Sequence, residues 1–128
     1  MIIDSHCHLD YEPLSNDLDN VLKRALKVGV EYFLTICTED KSFEKILVIL
    51  KKYKNVFGTY GIHPHEAKDY EKLTVNNIKQ NISLDKKIIG VGETGLDFYY
   101  NHSEKKLQKE CFLKHIHASQ ETSKTLIV

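Results

Sequence analysis

The sequence predicts an α/β protein built on a parallel sheet with helices packed against it. Short apolar runs that read as strands alternate with longer stretches whose apolar residues recur at helical spacing. Polar segments containing histidine, glycine or acid follow the first, third and fourth of those runs. No linker, low-complexity tract or charge block interrupts the alternation, so the 128 residues are expected to form a single domain, 1–128.

Residues 1–6 are apolar with polar punctuation and read as the first strand. Residues 17–28 place Leu18, Val21, Leu22, Ala25 and Leu26 on one helical face, and Gly29 ends that helix. Residues 32–37, with Phe33, Leu34 and Ile36, read as a second strand; residues 42–54, with Ile46, Leu47, Ile49 and Leu50, read as a second helix. A third strand spans 56–61, followed by a loop over 62–69 and a weaker helix near 74–81. The fourth strand covers 88–92. A long helix spans 103–121, opened by Ser103 as cap with Glu104 just inside, and 125–128 begins a fifth strand.

Strands joined through helices imply right-handed crossovers. An eight-stranded βα barrel typically needs ~250 residues, so four βα units and the start of a fifth strand amount to about half of one. The expected fold is a partial TIM (β/α)8 barrel, with an open doubly wound sheet as the structural alternative. Half a barrel leaves the edges of its first and last strands unpaired and its apolar interior uncovered, which favours self-association.

Hydrophobic residues make up 41% and charged residues 28% of the chain, an ordinary balance for a soluble domain. Lys plus Arg and Asp plus Glu each number 18, so a nucleic-acid partner would need a local site rather than a global field. No basic leader precedes an apolar core, and no apolar run approaches the ~20 residues of a membrane span, so a cytoplasmic location without membrane contact is expected. Cys7, Cys37 and Cys111 are odd in number and widely spaced, which fits reduced thiols better than a disulfide framework or a zinc knuckle.

His6 and His8 end the first strand two residues apart, so their side chains leave the same face and could chelate one metal. Cys7 points to the opposite face. An HxH pair alone also fits two solvated histidines, but here it lies at the C-terminal end of a strand, where a parallel barrel opens its active site. Asp4 and Asp10 share that parity, and either could orient an imidazole. After the third strand, Gly61-Ile62-His63-Pro64-His65-Glu66 forms a polar loop in which His63 could hydrogen-bond a phosphate or a coordinated water. His65 reads equally as a substrate contact or a solvated residue.

Glu93 closes the fourth strand inside Gly90-Val91-Gly92-Glu93-Thr94-Gly95-Leu96-Asp97, where glycines let backbone pass close to a ligand. A carboxylate there could bridge two divalent ions ~3.5 to 4 Å apart, one activating water and the other stabilising the leaving oxygen. The alternative is a capping acid in a glycine-rich turn. Asp97 suits a supporting role toward Glu93 or a histidine. Tyr99 and Tyr100 could stack bases, although packing against the adjoining helix is the expected use. His115 and His117 project ~200° apart around a helix and read as ordinary helix residues, His102 reads as solvated, and the lysine-rich stretches 51–54 and 105–109 read as polar helix faces.

Taken together, Asp4-Ser5-His6-Cys7-His8-Leu9-Asp10, Gly61-Ile62-His63-Pro64-His65 and Gly92-Glu93-Thr94-Gly95-Leu96-Asp97 closely resemble the TatD family of metal-dependent deoxyribonucleases, in order and in spacing. The resemblance covers essentially the whole chain, including the helix with Gln108 and Phe112. It implies a TIM-barrel hydrolase that cuts phosphodiester bonds in DNA with two divalent ions, His6, His8 and Glu93 matching metal ligands and Glu93 the bridge. Magnesium, manganese, zinc, cobalt and iron all remain open as the metal.

The family also draws a His from a His-x-Arg segment, a further His and an Asp from later strands, none of which this sequence contains. The expectation is therefore an N-terminal fragment whose second ion is weakened by orders of magnitude. Two other readings stand beside it: a metallohydrolase acting on a small ester, lactone or amide, and a non-catalytic fragment that binds metal or a partner.

Overall fold

A computed structural model describes residues 1–128. Five strands, β1 (Ile2–Cys7), β2 (Val30–Thr35), β3 (Val56–Tyr60), β4 (Ile88–Val91) and β5 (Thr125–Leu126), lie in one sheet in chain order. Four helices, α1 (Leu18–Lys27), α2 (Asp40–Lys52), α3 (Val75–Ile82) and α4 (Lys105–Thr122), fill the connections. All neighbouring strands pair parallel, so every connection returns the chain to the same end of the sheet. A doubly wound sheet reverses its strand order at a switch point. The sequential order seen here has no reversal and gives a curled half-barrel.

Side-chain alternation separates the two faces of the sheet. Phe33, Val56, Tyr60 and Ile88 are buried against Phe43, Ile46 and Leu50 of α2, Ile78 and Ile82 of α3, and Cys111 and Ala118 of α4, within a single apolar core. The intervening residues look the other way. Ile3 is 57% exposed, Tyr32 41% and Ile89 44%, and with Leu34 and Phe57 they line an open apolar cleft of about 610 Å³. In a closed barrel such residues fill the interior.

Several boundaries differ from the sequence expectation. Strand β2 begins at Val30 because that residue pairs with Ile2, and α2 begins at Asp40. The loop expected over 62–69 contains a 3-10 turn, Pro64–Asp69, with Pro64 at its first position, where the ring presets the backbone and no N–H is missed. Ser103 does not cap α4. Glu104 holds the cap position without a side-chain bond, while the buried Ser103 hydroxyl donates to the His65 carbonyl at 2.7 Å and accepts from Lys68 N–H at 3.1 Å. The serine thus ties the start of α4 to the turn after β3. No helix is long and apolar enough to cross a membrane.

Strands β3 and β4 come closest just beyond their paired residues. A Cβ on Gly61 would collide with the backbone N, Cα and C of Gly92, atoms that cannot swing aside. Gly29 makes a useful contrast, because its φ of +90° disfavours a side chain yet nothing lies within 4 Å. Gly29→Ala is expected to cost about 1 kcal/mol, and Gly61→Ala about 3 kcal/mol or more. Urea unfolding of the two variants beside the parent chain measures the difference, and equal losses would show that the β3–β4 approach has room to relax.

Candidate metal centre

The loops leaving the strand ends are laced together by their own backbone. Ile36 N–H donates to Cys7 O at 2.8 Å, His63 N–H to Thr38 O at 2.8 Å, Gly92 N–H to Tyr60 O at 2.7 Å and Glu93 N–H to Cys37 O at 2.8 Å. Two fully buried threonines join in: Thr35 Oγ1 accepts from Leu9 N–H at 3.1 Å, and Thr59 Oγ1 from Cys37 N–H at 3.0 Å. Each loop is held by its neighbour, so the side chains at this rim project from fixed positions.

Three of the candidate residues converge there. His6 Nε2 lies 3.5 Å from Glu93 Oε2, His8 Nε2 lies 3.9 Å from the same oxygen, and all three donor atoms fall within 4.8 Å of one another. His8 Nδ1 sits 3.1 Å from the Ile36 carbonyl, which can only accept, so Nδ1 carries the proton and the Nε2 lone pair is directed toward Glu93. Donors ~2.1 Å from a tetrahedral ion stand ~3.4 Å apart, so two imidazoles and a carboxylate at these separations fit a divalent ion with small side-chain adjustments. Cys7 faces away, its thiol donating to Leu34 O at 3.3 Å, and burial pushes its pKa up to about 12. It remains a thiol.

His63 approaches Glu93 from the other side, with Nε2 3.9 Å from Oε1. Its Nδ1 accepts the His65 N–H at 3.2 Å, which leaves the proton on Nε2, and burial lowers its pKa so that the ring stays neutral. His65 does not join the cluster. Its Nε2 donates to Asp97 Oδ2 at 2.6 Å, and that bond, with the Tyr100 N–H also on the carboxylate, holds the Asp97 pKa below the usual carboxylate range. Asp4 accepts the His6 backbone N–H at 3.2 Å and so steadies the strand end. Asp10 is buried in the loop after β1, and neither of its oxygens bonds an imidazole. The ring of His8 is oriented by a carbonyl instead.

His115, expected to be an ordinary helix residue, is fully buried. Its Nδ1 donates to Cys111 O at 2.8 Å and its Nε2 accepts Ile62 N–H at 3.1 Å, which fixes the backbone one residue before His63. The long range of this contact hid it, because helical spacing shows which way a residue faces and not which loop it will meet. Tyr99 and Tyr100 do not pack beneath the rim; they are 87% and 64% exposed.

Comparison with known proteins identifies the family. Residues 3–128 match a family described as TatD related DNase. The chain belongs to the TatD family. An uncharacterized metal-dependent hydrolase of Buchnera aphidicola (subspecies Acyrthosiphon pisum) is 40% identical to this TatD chain, the match covering 99% of the chain and 51% of that protein. The uncharacterized metal-dependent hydrolase YcfH of Escherichia coli K12 is 33% identical, covering 99% and 48%. The crystal structure of YjjV, a TatD homolog from Escherichia coli K12, superposes with a TM-score of 0.88 at 25% identity over 98% of this chain and 49% of its own. The TatD chain described here thus spans about half the length of the curated relatives it matches.

The buried His115 makes stability depend on pH. Burial lowers its pKa from 6.5 to about 4, so the folded chain binds fewer protons than the unfolded chain between those values. Its contribution is complete above about pH 6.5 and falls away as the pH drops toward 4. The full effect amounts to about 3 kcal/mol. Denaturant midpoints across that range should fall in the parent chain and fall less in His115→Gln, and parallel curves would show that another group governs the loss.

Proposed function

We propose that this rim holds a divalent metal ion through His6, His8 and Glu93 and takes part in hydrolysis of phosphodiester bonds in DNA, with Glu93 and His63 as the catalytic groups. One observation carries the reading above the others: donor atoms of two imidazoles and a carboxylate converge to within 4.8 Å of one another, and the His8 Nδ1–H bond to the Ile36 carbonyl leaves its Nε2 lone pair for that cluster. Held by His6, His8 and Glu93, a divalent ion would lower the pKa of water and withdraw charge from a phosphoryl oxygen.

The residues of this chain prepare the rest. Glu93 presents Oε2 to His6 and His8, with which it would hold the ion, and Oε1 to the N–H of His63. The neutral His63 offers its Nε2 proton to a phosphoryl oxygen without bringing a charge of its own. Asp97 holds His65, and His65 N–H in turn fixes the His63 ring. Residues 1–128 act in this reading as one domain that supplies donors for one ion. The DNA preference rests on the family description, because the metal cluster alone would also suit a small ester.

The test is manganese-dependent cleavage of labelled single-stranded DNA, run beside a small ester such as p-nitrophenyl acetate. Cleavage should vanish with chelator and fall ~100-fold or more in Glu93→Ala. A folded, metal-binding chain that leaves DNA intact would sink the proposal.

The same reading extends to the inner face of the sheet, where we propose that two copies associate. Ile3, Tyr32 and Ile89 lie exposed along one apolar cleft of a sheet whose β1 edge is unpaired. Sedimentation velocity should show a concentration-dependent species above monomer mass that Ile89→Lys shifts to monomer. Association unaffected by that charge would place the contact elsewhere.

A further inference from the structure

The loop after β4 carries a second surface that the metal centre leaves unused. Leu96, Phe98, Tyr99 and Tyr100 are 45%, 42%, 87% and 64% exposed, so four of five consecutive side chains present apolar or aromatic area to water. Such a display in a slack loop would mean little. Here the backbone beneath it is fastened. Asp97 Oδ1 accepts the N–H groups of Tyr99 and Tyr100 at 3.0 and 3.2 Å. Gln108, buried to 1%, accepts Asp97 N–H at 2.7 Å and donates to Asp97 O at 2.9 Å and Ser103 O at 2.8 Å.

The rings themselves are ordered in series. Tyr100 lies parallel to the His102 ring, with centroids 6.0 Å apart, and edge-on to His65 at 5.8 Å. Tyr99 meets Tyr100 edge to face at 4.9 Å. Tyr100 is therefore supported from behind, and Tyr99 is the ring left to the solvent. Its loop opens into the rim: Glu93, His63, Phe98 and Tyr99 line one depression of about 420 Å³. A cation stands beside it, with Lys105 Nζ 5.0 Å from the centre of the Phe98 ring.

We propose that Tyr99 is a stacking platform for an unpaired nucleobase, placed so that the base of the nucleotide adjoining a phosphodiester at Glu93 rests on its ring. This rests on the reading of the rim as a phosphodiester site. Every base has a flat π face, so an aromatic platform binds without regard to sequence, and a neighbouring lysine can meet the backbone that carries the base. A rigid platform binds without first having to be ordered, which is what the bonds of Asp97 and Gln108 provide. A base inside a duplex has its faces occupied already, so the platform selects strands or ends whose bases are free.

Anisotropy of a labelled phosphorothioate oligonucleotide, which resists cleavage, measures binding in the presence of manganese, with an abasic backbone of the same length as comparison. The base-bearing strand should bind tighter than the abasic one, and Tyr99→Ala should weaken only the former, by roughly 10-fold. The chain contains no tryptophan, so Tyr99→Trp adds a single indole whose emission should be quenched by the base-bearing strand and not by the abasic one. If both backbones bind equally, or Tyr99→Ala changes nothing, the platform is refuted while the phosphodiester reading stands. If neither backbone binds at all, both readings fall. Should Tyr99→Ala alter sedimentation and not oligonucleotide affinity, the loop is a protein contact and the inference is wrong.

Discussion

Glu93 reaches the imidazoles of His6 and His8 because the backbones beyond β3 and β4 run into contact at Gly61 and Gly92, where no side chain fits. The approach lets Gly92 N–H bond to Tyr60 O and Glu93 N–H bond to Cys37 O, two loops away. A carboxylate fixed through its own backbone needs no further partner to hold it in place. That leaves both oxygens free to face histidines, which is the state a metal ligand must be in before the metal arrives. The glycines and the acid are one device, and the acid would be misplaced without the glycines.

The histidines of the rim divide their labour through their hydrogen-bond partners. His8 gives its Nδ1 proton to a carbonyl and keeps a lone pair for the centre, whereas His63 receives an amide at Nδ1 and keeps a proton for it. One ring thereby turns a lone pair and the other an N–H toward the centre, although they stand at similar distances from the same carboxylate. His65 is spent on Asp97, and His115 on Ile62 N–H. Residue type alone does not assign these four their roles. The partner of the second ring nitrogen distinguishes them.

This explains what could be read in the sequence and what could not. The strand and helix order was legible because burial on one face imposes a period, and His6, His8 and Glu93 were legible because strand ends in a parallel sheet share a rim. Ser103 reads as a helix cap by local spacing, yet a buried hydroxyl bonds to whatever the fold brings near, here the His65 carbonyl and Lys68 N–H. The roles of His115 and Gln108 depend on contacts 53 and 11 residues away in sequence, beyond the reach of any local pattern. Tyr99 and Tyr100 were expected to pack, but the amides bound by Asp97 turn their side chains outward.

Asp97 links these parts. One oxygen accepts the His65 Nε2–H and so steadies the turn that sets the His63 ring, while the other accepts the amides of the aromatic loop. Its backbone is clamped by Gln108, whose amide also reaches Ser103, and Ser103 returns to the carbonyl of His65. The path closes on itself as a ring of bonds joining the turn after β3, the loop after β4 and the start of α4. A closed ring resists distortion at any one member, because moving one group strains partners on both sides. The aromatic loop is thus tied to the His63 ring, and the distance from Tyr99 to the His6–His8–Glu93 cluster is set by this ring of bonds and not by the loop's own preferences.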